Sequence, residues 1–217
     1  MKVGVLALQG DVPEHLAALA EIVPGDDILA VRTREDLERV GALFLPGGES
    51  TTIARLLVQS GLWNPLAERL RKGFPVLATC AGLILLARDL SPGASGIDPP
   101  TFGVLDVQVR RNDYGAQRES FEAPLRVDGL AGPPFPGVFI RSPRILAVGP
   151  GATPVAWRDD EVVGVRAGPI WGLGFHPELS GDPRVHRKFL EMAHASLKSA
   201  TARSGTRPKP RGKKPPR

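Results

Sequence analysis

The sequence predicts an α/β protein: three layers, with an open mixed, mostly parallel sheet flanked by helices. Strand-like apolar runs alternate with amphipathic segments through the first half of the chain, which is the pattern of a parallel sheet with helical crossovers. Three of those runs end in glycine-marked turns, "ALQGD" at 7–11, "LPGGEST" at 45–51 and "ATCAG" at 78–82. The chain has 217 residues, 42% of them hydrophobic and 24% charged, enough for one substantial core.

"KVGVLAL" at 2–8 is almost wholly apolar, as expected of a parallel strand covered on both faces. "QGDVPEHLAALAEIV" follows with Leu16, Leu19, Ala20 and Val23 at helical spacing. "DDILAVR" reads as a second strand and "TREDLERV" as a short helix opened by Thr33 with acids near its start. "GALFLPGG" reads as a third strand. The stretch from Glu49 to Gly73 reads as helical with a break near Gly61-Leu62, "FPVLATCAG" as a fourth strand, and "LILLARDL" as a further helix. From residue 101 onward, short alternating segments divided by Gly and Pro predict antiparallel or mixed strands that extend the same sheet. "DPRVHRKFLEMAHASLKSA" predicts a closing helix with Val185, Phe189 and Met192 on one face.

Charge divides the chain. The formal net charge is +5, but residues 198–217 hold eight of the 28 Lys+Arg and no acid, leaving 20 against 23 Asp+Glu, or −3, in the remainder. That Pro-rich basic segment has little to bury and is expected to be a disordered tail beyond a domain at 1–197. No apolar run approaches the roughly 20 residues of a membrane span and no cleavable signal pattern is seen, so a cytoplasmic protein without membrane contact is expected. Cys80 is the single cysteine, which excludes an intramolecular disulfide.

In an open parallel sheet, ligands sit beyond the carboxyl ends of the strands, so the three glycine-marked loops are expected to converge on one site. "TCAG" has the requirements of a nucleophile elbow: Cys80 on a tight strand-to-helix turn, small neighbours Ala81 and Gly82, and a helix start that favours the thiolate. A lone cysteine is also often just a small buried hydrophobe, and this segment alone does not separate the two readings. "GFHPEL" adds His176 and Glu178, two apart, with Pro177 against continuing helix; on an extended segment both side chains would point to one side. A carboxylate beside an imidazole fixes its tautomer and stabilises the imidazolium, which is what a base serving a cysteine needs. "PGGEST" offers glycines whose backbone can approach a ligand and form an oxyanion hole, or alternatively an ordinary turn capped by Ser50 or Thr51. No lysine follows in the position a phosphate loop requires, and the lone Cys and scattered His have no metal-ligand spacing. The remaining histidines, His15, His186 and His194, show no comparable context.

"LPGGEST", "TCAG" and "FHPEL" in this order resemble the class I, triad-type glutamine amidotransferases. "GVLALQGDVPEH", "LPGGESTTIARLL", "ATCAGLILLA", "RRNDYGAQRESFEAPL", "GVFIRSP" and "GLGFHPEL" narrow the resemblance to the glutaminase subunits of pyridoxal 5'-phosphate synthase, over about residues 2–195. The resemblance implies a flavodoxin-like, class I glutamine amidotransferase-like fold and a Cys80–His176–Glu178 triad that hydrolyses L-glutamine. It implies an oxyanion hole at the backbone of Gly48 and Ala81, completed by Gln9, and glutamine-holding positions at Gly48, Glu49, Ser50, Arg111, Ile140 and Arg141. No cofactor and no metal are expected, and the resemblance implies that ammonia passes to a separate (β/α)₈-barrel synthase subunit. The alternatives are a glutaminase serving another acceptor synthase, a non-catalytic redox sensor built on the cysteine elbow, and a nucleic-acid binder acting through the basic tail.

Overall fold

The computed structural model describes residues 1–91, 98–111 and 120–204, with side chains to residue 199. The first half is strand and helix in alternation: β1 (Val3–Leu6), α1 (Val12–Ala20), β2 (Ile28–Val31), α2 (Arg34–Arg39), β3 (Ala42–Leu45), α3 (Ser50–Gln59), α4 (Trp63–Arg71), β4 (Val76–Thr79) and α5 (Ala81–Leu86). The local chemistry explains several boundaries. Thr33 and Asp36 form a reciprocal capping box at the start of α2. Gly61, at φ 72°, makes the expected break between α3 and α4.

Strands dominate the second half: β5 (Ala87–Ser91), β6 (Leu105–Arg110), β7 (Phe121–Val127), β8 (Phe135–Phe139), β9 (Arg144–Val148), β10 (Thr153–Arg158), β11 (Glu161–Ala167) and β12 (Ile170–Leu173). A 3-10 turn at Pro177–Leu179 and helix α6 (Arg184–Ser204) close the chain. Helix α6 thus runs past 197 into the segment expected to be a tail; residues 205–217 lie outside the described residues.

The main sheet has the order β2-β1-β3-β4-β12-β11-β10-β7-β8. Pairings from β2 to β12 are parallel, and those from β12 to β8 antiparallel. Strands β4 and β12, which precede Cys80 and His176, are hydrogen-bonded neighbours with Thr79 opposite Leu173. Each strand alternates its faces. On β3, Leu43 and Leu45 pack with helices α3 to α5, while Ala42 and Phe44 pack with α1 and α6, so two cores lie on opposite faces of one sheet.

Two expectations are corrected. "LILLARDL" is not all helix: α5 stops at Leu86, because Phe102 and Val104 donate to the carbonyls of Leu85 and Leu86 and the chain continues as β5. Nor do all later strands extend the main sheet. β5, β6 and β9 form a separate three-stranded sheet. Its β6 buries Leu105, Val107 and Val109 on one face and turns Asp106, Gln108 and Arg110 outward. Its apolar face packs into the same core as α3 to α5, so the small sheet covers one side of the main sheet.

Candidate active site

The three glycine-marked turns do converge. A pocket of about 210 Å³ at the carboxyl ends of the parallel strands is lined by Gly48, Glu49 and Ser50 from the β3 turn, Cys80 from the β4 turn, and His176 after β12. Arg111, Ile140 and Arg141 complete the predicted set, and Asp11 and Ile84 line the pocket as well. Ala81 lies beside Cys80 at the first position of α5, and Glu178 stands behind His176 rather than in the pocket.

Cys80 holds φ 47° and ψ −103°, a conformation that L-residues rarely adopt. Its N–H donates to Leu173 O at 2.8 Å, fixing the turn to the neighbouring strand. Gly82 is required by space: a Cβ there would stand 2.5 Å from Leu45 O and 3.0 Å from Ala78 Cβ. The sulfur lies 4.0 Å from Ile140 O.

His176 donates through Nδ1 to Glu178 Oε1 at 2.8 Å, with Asp11 Oδ2 at 3.3 Å from the same nitrogen. Its N–H donates to Val138 O, tying it to the antiparallel half of the sheet. The His–Glu pairing differs from the expected extended geometry: Pro177 opens a 3-10 turn, and that turn folds the Glu178 carboxylate back onto the imidazole. Burial alone would make His176 less basic; Asp11, the Cys80 sulfur and Glu178 outweigh it and raise its pKa to about 12. Glu178 experiences the reverse: burial opposes ionisation, but the imidazoles of His15 and His176 bring its pKa down to about 2. Among the described residues, Nε2 of His176 is buried without a hydrogen-bond partner other than the Cys80 sulfur, so the imidazole is held from its Nδ1 side and turns its other nitrogen toward the thiol.

Gly48 adopts φ 142° and lies against Gln9; a Cβ on it would sit 2.8 Å from Gln9 Oε1. That oxygen accepts the Glu49 N–H at 2.9 Å. The turn is not capped by Ser50 or Thr51: Glu49 occupies the cap position and makes no side-chain cap bond. The glycines therefore serve close packing against the "QGD" loop. Gly47 makes the same point, since a Cβ on it would lie 2.5 Å from His176 Cε1. Across the mouth, Arg141 donates to Glu49 Oε1 at 2.9 Å, and Arg111 reaches Asp98 at 3.3 Å. A guanidinium and a carboxylate facing one another over a small pocket suit the carboxylate and ammonium of a free amino acid.

Asp11, His176 and Glu178 are the group of ligand-type side chains, among the described residues, whose atoms could share a metal ion; they lie within 4.8 Å of one another. Nδ1 of His176 is already engaged by the carboxylates there. Sequence reasoning missed Asp11 and two histidines. His15 and His186 are fully buried directly behind Glu178. Helical spacing held the signal: His15 stands four residues before buried Leu19, and His186 three before buried Phe189.

A strained cysteine, an imidazole backed by a carboxylate and a glycine turn against the pocket give this α/β fold the groups that a cysteine amidohydrolase would need. A model of the SNO glutamine amidotransferase family matches residues 5–195, and the chain belongs to that family. Its relatives include the pyridoxal 5'-phosphate synthase subunit PdxT of Streptomyces coelicolor, 50% identical over 194 residues, or 89% of this chain and 94% of that protein. PdxT of Thermococcus kodakarensis is 46% identical over 198 residues, 89% of this chain and 99% of that one. A crystal structure of a glutamine amidotransferase superposes with a TM-score of 0.80 at 44% identity, covering 89% of this chain and 100% of that one. A glutamine amidotransferase from Thermotoga maritima shares the fold at a TM-score of 0.56 and 18% identity, over 95% of this chain and 87% of that one.

Proposed function

We propose that this chain is the glutaminase subunit of a cytoplasmic pyridoxal 5'-phosphate synthase, hydrolysing L-glutamine to glutamate and ammonia and passing the ammonia to a separate (β/α)₈-barrel synthase subunit. The observation that carries the reading is the pairing of Cys80 and His176 in one amino-acid-sized pocket with Glu178 behind the imidazole. In the mechanism we infer, Glu49, Arg111 and Arg141 hold the α-substituents of glutamine while its carboxamide carbon meets Cys80 Sγ. The proton of the thiol already resides on His176 Nε2, in keeping with the raised basicity of that imidazole, and the C–S bond forms as the carbonyl π electrons move onto oxygen. The negative oxygen of the tetrahedral adduct is stabilised by backbone N–H groups at Gly48 and Ala81 beside Gln9. His176 returns the proton to the departing nitrogen, and ammonia leaves. Water, deprotonated by the same imidazole, then attacks the thioester; collapse releases glutamate and returns the sulfur and the protonated imidazole to their starting state. Glu178 keeps the proton of His176 on Nδ1, so that Nε2 faces the sulfur.

All of these residues lie within 1–197, and the segment 198–217 is proposed to lie outside the catalytic unit. The test is ammonia release from glutamine with and without the barrel subunit, for wild type and Cys80→Ala. We expect partner-dependent release that Cys80→Ala abolishes. Release by Cys80→Ala at the wild-type rate would sink the mechanism. Release by wild type without effect of the barrel subunit on rate or ammonia transfer would point to a different acceptor.

A further inference from the structure

Behind Glu178 lies a run of buried polar groups that the mechanism above does not use. Thr79 Oγ1 is 3.5 Å from Glu178 Oε1, His15 Nε2 is 3.2 Å from Thr79 Oγ1, and His15 Nδ1 is 3.3 Å from His186 Nε2. Thr79, His15 and His186 are fully buried. They come from three elements, the end of β4, α1 and α6, and meet only because those elements pack together. His186 also stacks on Phe44, with rings 12° apart.

The contacts permit one consistent direction of donation. An ionised carboxylate only accepts, so the Thr79 hydroxyl donates to Glu178 and its oxygen accepts from His15 Nε2–H. A neutral imidazole has one donor and one acceptor, so His15 Nδ1 accepts from His186 Nε2–H. The chain must then end on a bare His186 Nδ1, and that nitrogen is indeed buried with no partner. At the other end Glu178 Oε2 has no hydrogen bond of its own and lies 3.5 Å from His15 Nε2. The arrangement accounts for the bare His186 nitrogen, and it leaves Glu178 Oε2 facing the His15 N–H at the longer distance.

We propose that His15 is a positioning residue of the catalytic pair: through Thr79 it holds the Glu178 carboxylate against His176, and His186 fixes the tautomer that lets it do so. Helix α1 and its N-cap then contact the pair twice, through the N-cap Asp11 on His176 and through His15 on Glu178. The inference rests on the reading of His176 as base and Glu178 as its acid partner. The groups that act on His15 are Glu178 and His176 in front, the N-cap Asp11 and Glu14 on its own helix, and His186 on α6; burial outweighs the acids and lowers its pKa, so it is neutral at neutral pH.

Two measurements test this. In the reconstituted complex with the barrel subunit, His15→Leu removes the donor at similar volume, whereas His15→Gln keeps an N–H near the Nε2 position. We expect His15→Leu to lower kcat about tenfold to a hundredfold, as misplacement of a catalytic group by an ångström does, with KM for glutamine unchanged, and His15→Gln to restore most of the rate. Equal losses in the two variants, or a loss confined to KM, would overturn the proposal. Independently of any variant, ¹⁵N spectra of histidine-labelled wild type should show His15 and His186 neutral with the proton on Nε2 from pH 6 to 9. A proton on Nδ1 of either ring would also overturn it, even if His15→Leu fails to fold. Should wild type itself release no ammonia in the complex, the catalytic reading fails while the tautomers still judge the hydrogen-bond chain.

Discussion

Cys80 carries its strain in the backbone. At φ 47° it occupies a region that costs a non-glycine residue about 1–3 kcal/mol, and the cost recurs in Cys80→Ala, which keeps a Cβ. Cys80→Gly removes it at the expense of a more flexible unfolded chain. We expect Cys80→Gly to melt about 2–4 °C above Cys80→Ala, the shift that about 1 kcal/mol produces in a chain of this size. Thermal melts of the two inactive variants check this, and equal midpoints would mean that the turn is unstrained. At this scale the sequence was informative about the grouping of Cys80, His176 and Glu178 and poor for its surroundings. Cys80, His176 and Glu178 are legible because each stands in a short motif whose chemistry is local. His15, Asp11 and His186 are not, because their roles arise from contacts across 64 residues of chain or more, such as His15 to Thr79 and His15 to His186.

Among the elements, the turn after β3 shows how backbone spacing sets side-chain position. A methyl on Gly47 would press on His176 Cε1 at 2.5 Å and on Asp11 Oδ2 at 2.6 Å. Either the imidazole or the "QGD" loop must yield. We expect Gly47→Ala to fold but to lose about a hundredfold in kcat, since small displacements of the reacting geometry carry that cost; wild-type turnover would show that the loop absorbs the methyl harmlessly. The parallel half of the fold was readable because apolar runs and helical spacing are strong local signals. The end of α5 was not. "LILLARDL" has a helix-compatible composition, and its helix stops because residues 102–104 claim the last carbonyls, a tertiary event. The division of the later strands between two sheets was equally hidden, since alternation identifies a strand but not its neighbour.

For the molecule as a whole, the buried histidines predict how stability responds to acid. Burial, joined by repulsion from His15, holds His186 at about 3, and burial also lowers His15. The unfolded chain binds protons at both sites near pH 6.5 and the native state does not, so stability declines as pH falls from about 6.5 toward 3. Glu178, ionised in the fold down to about pH 2 against 4.5 ordinarily, adds a second loss below pH 4.5. His176, raised to about 12, contributes fully below 6.5 and does not oppose this acid limb. Melting wild type and His186→Leu between pH 7 and 4.5 should show a shallower decline in the variant. Parallel declines would mean that His186 is not a source of acid sensitivity.

Adjacent strands β4 and β12 lead into the proposed nucleophile and its proposed base, yet they lie far apart in the order of synthesis, with β5 to β11 translated between them. An emerging polypeptide therefore displays its reactive sulfur long before the imidazole exists to activate it. Hydrolysis cannot begin on a nascent chain, and any break between β6 and β7 leaves the thiol on one piece and the base on the other. Restored turnover from two such pieces would be a direct readout of their reassembly.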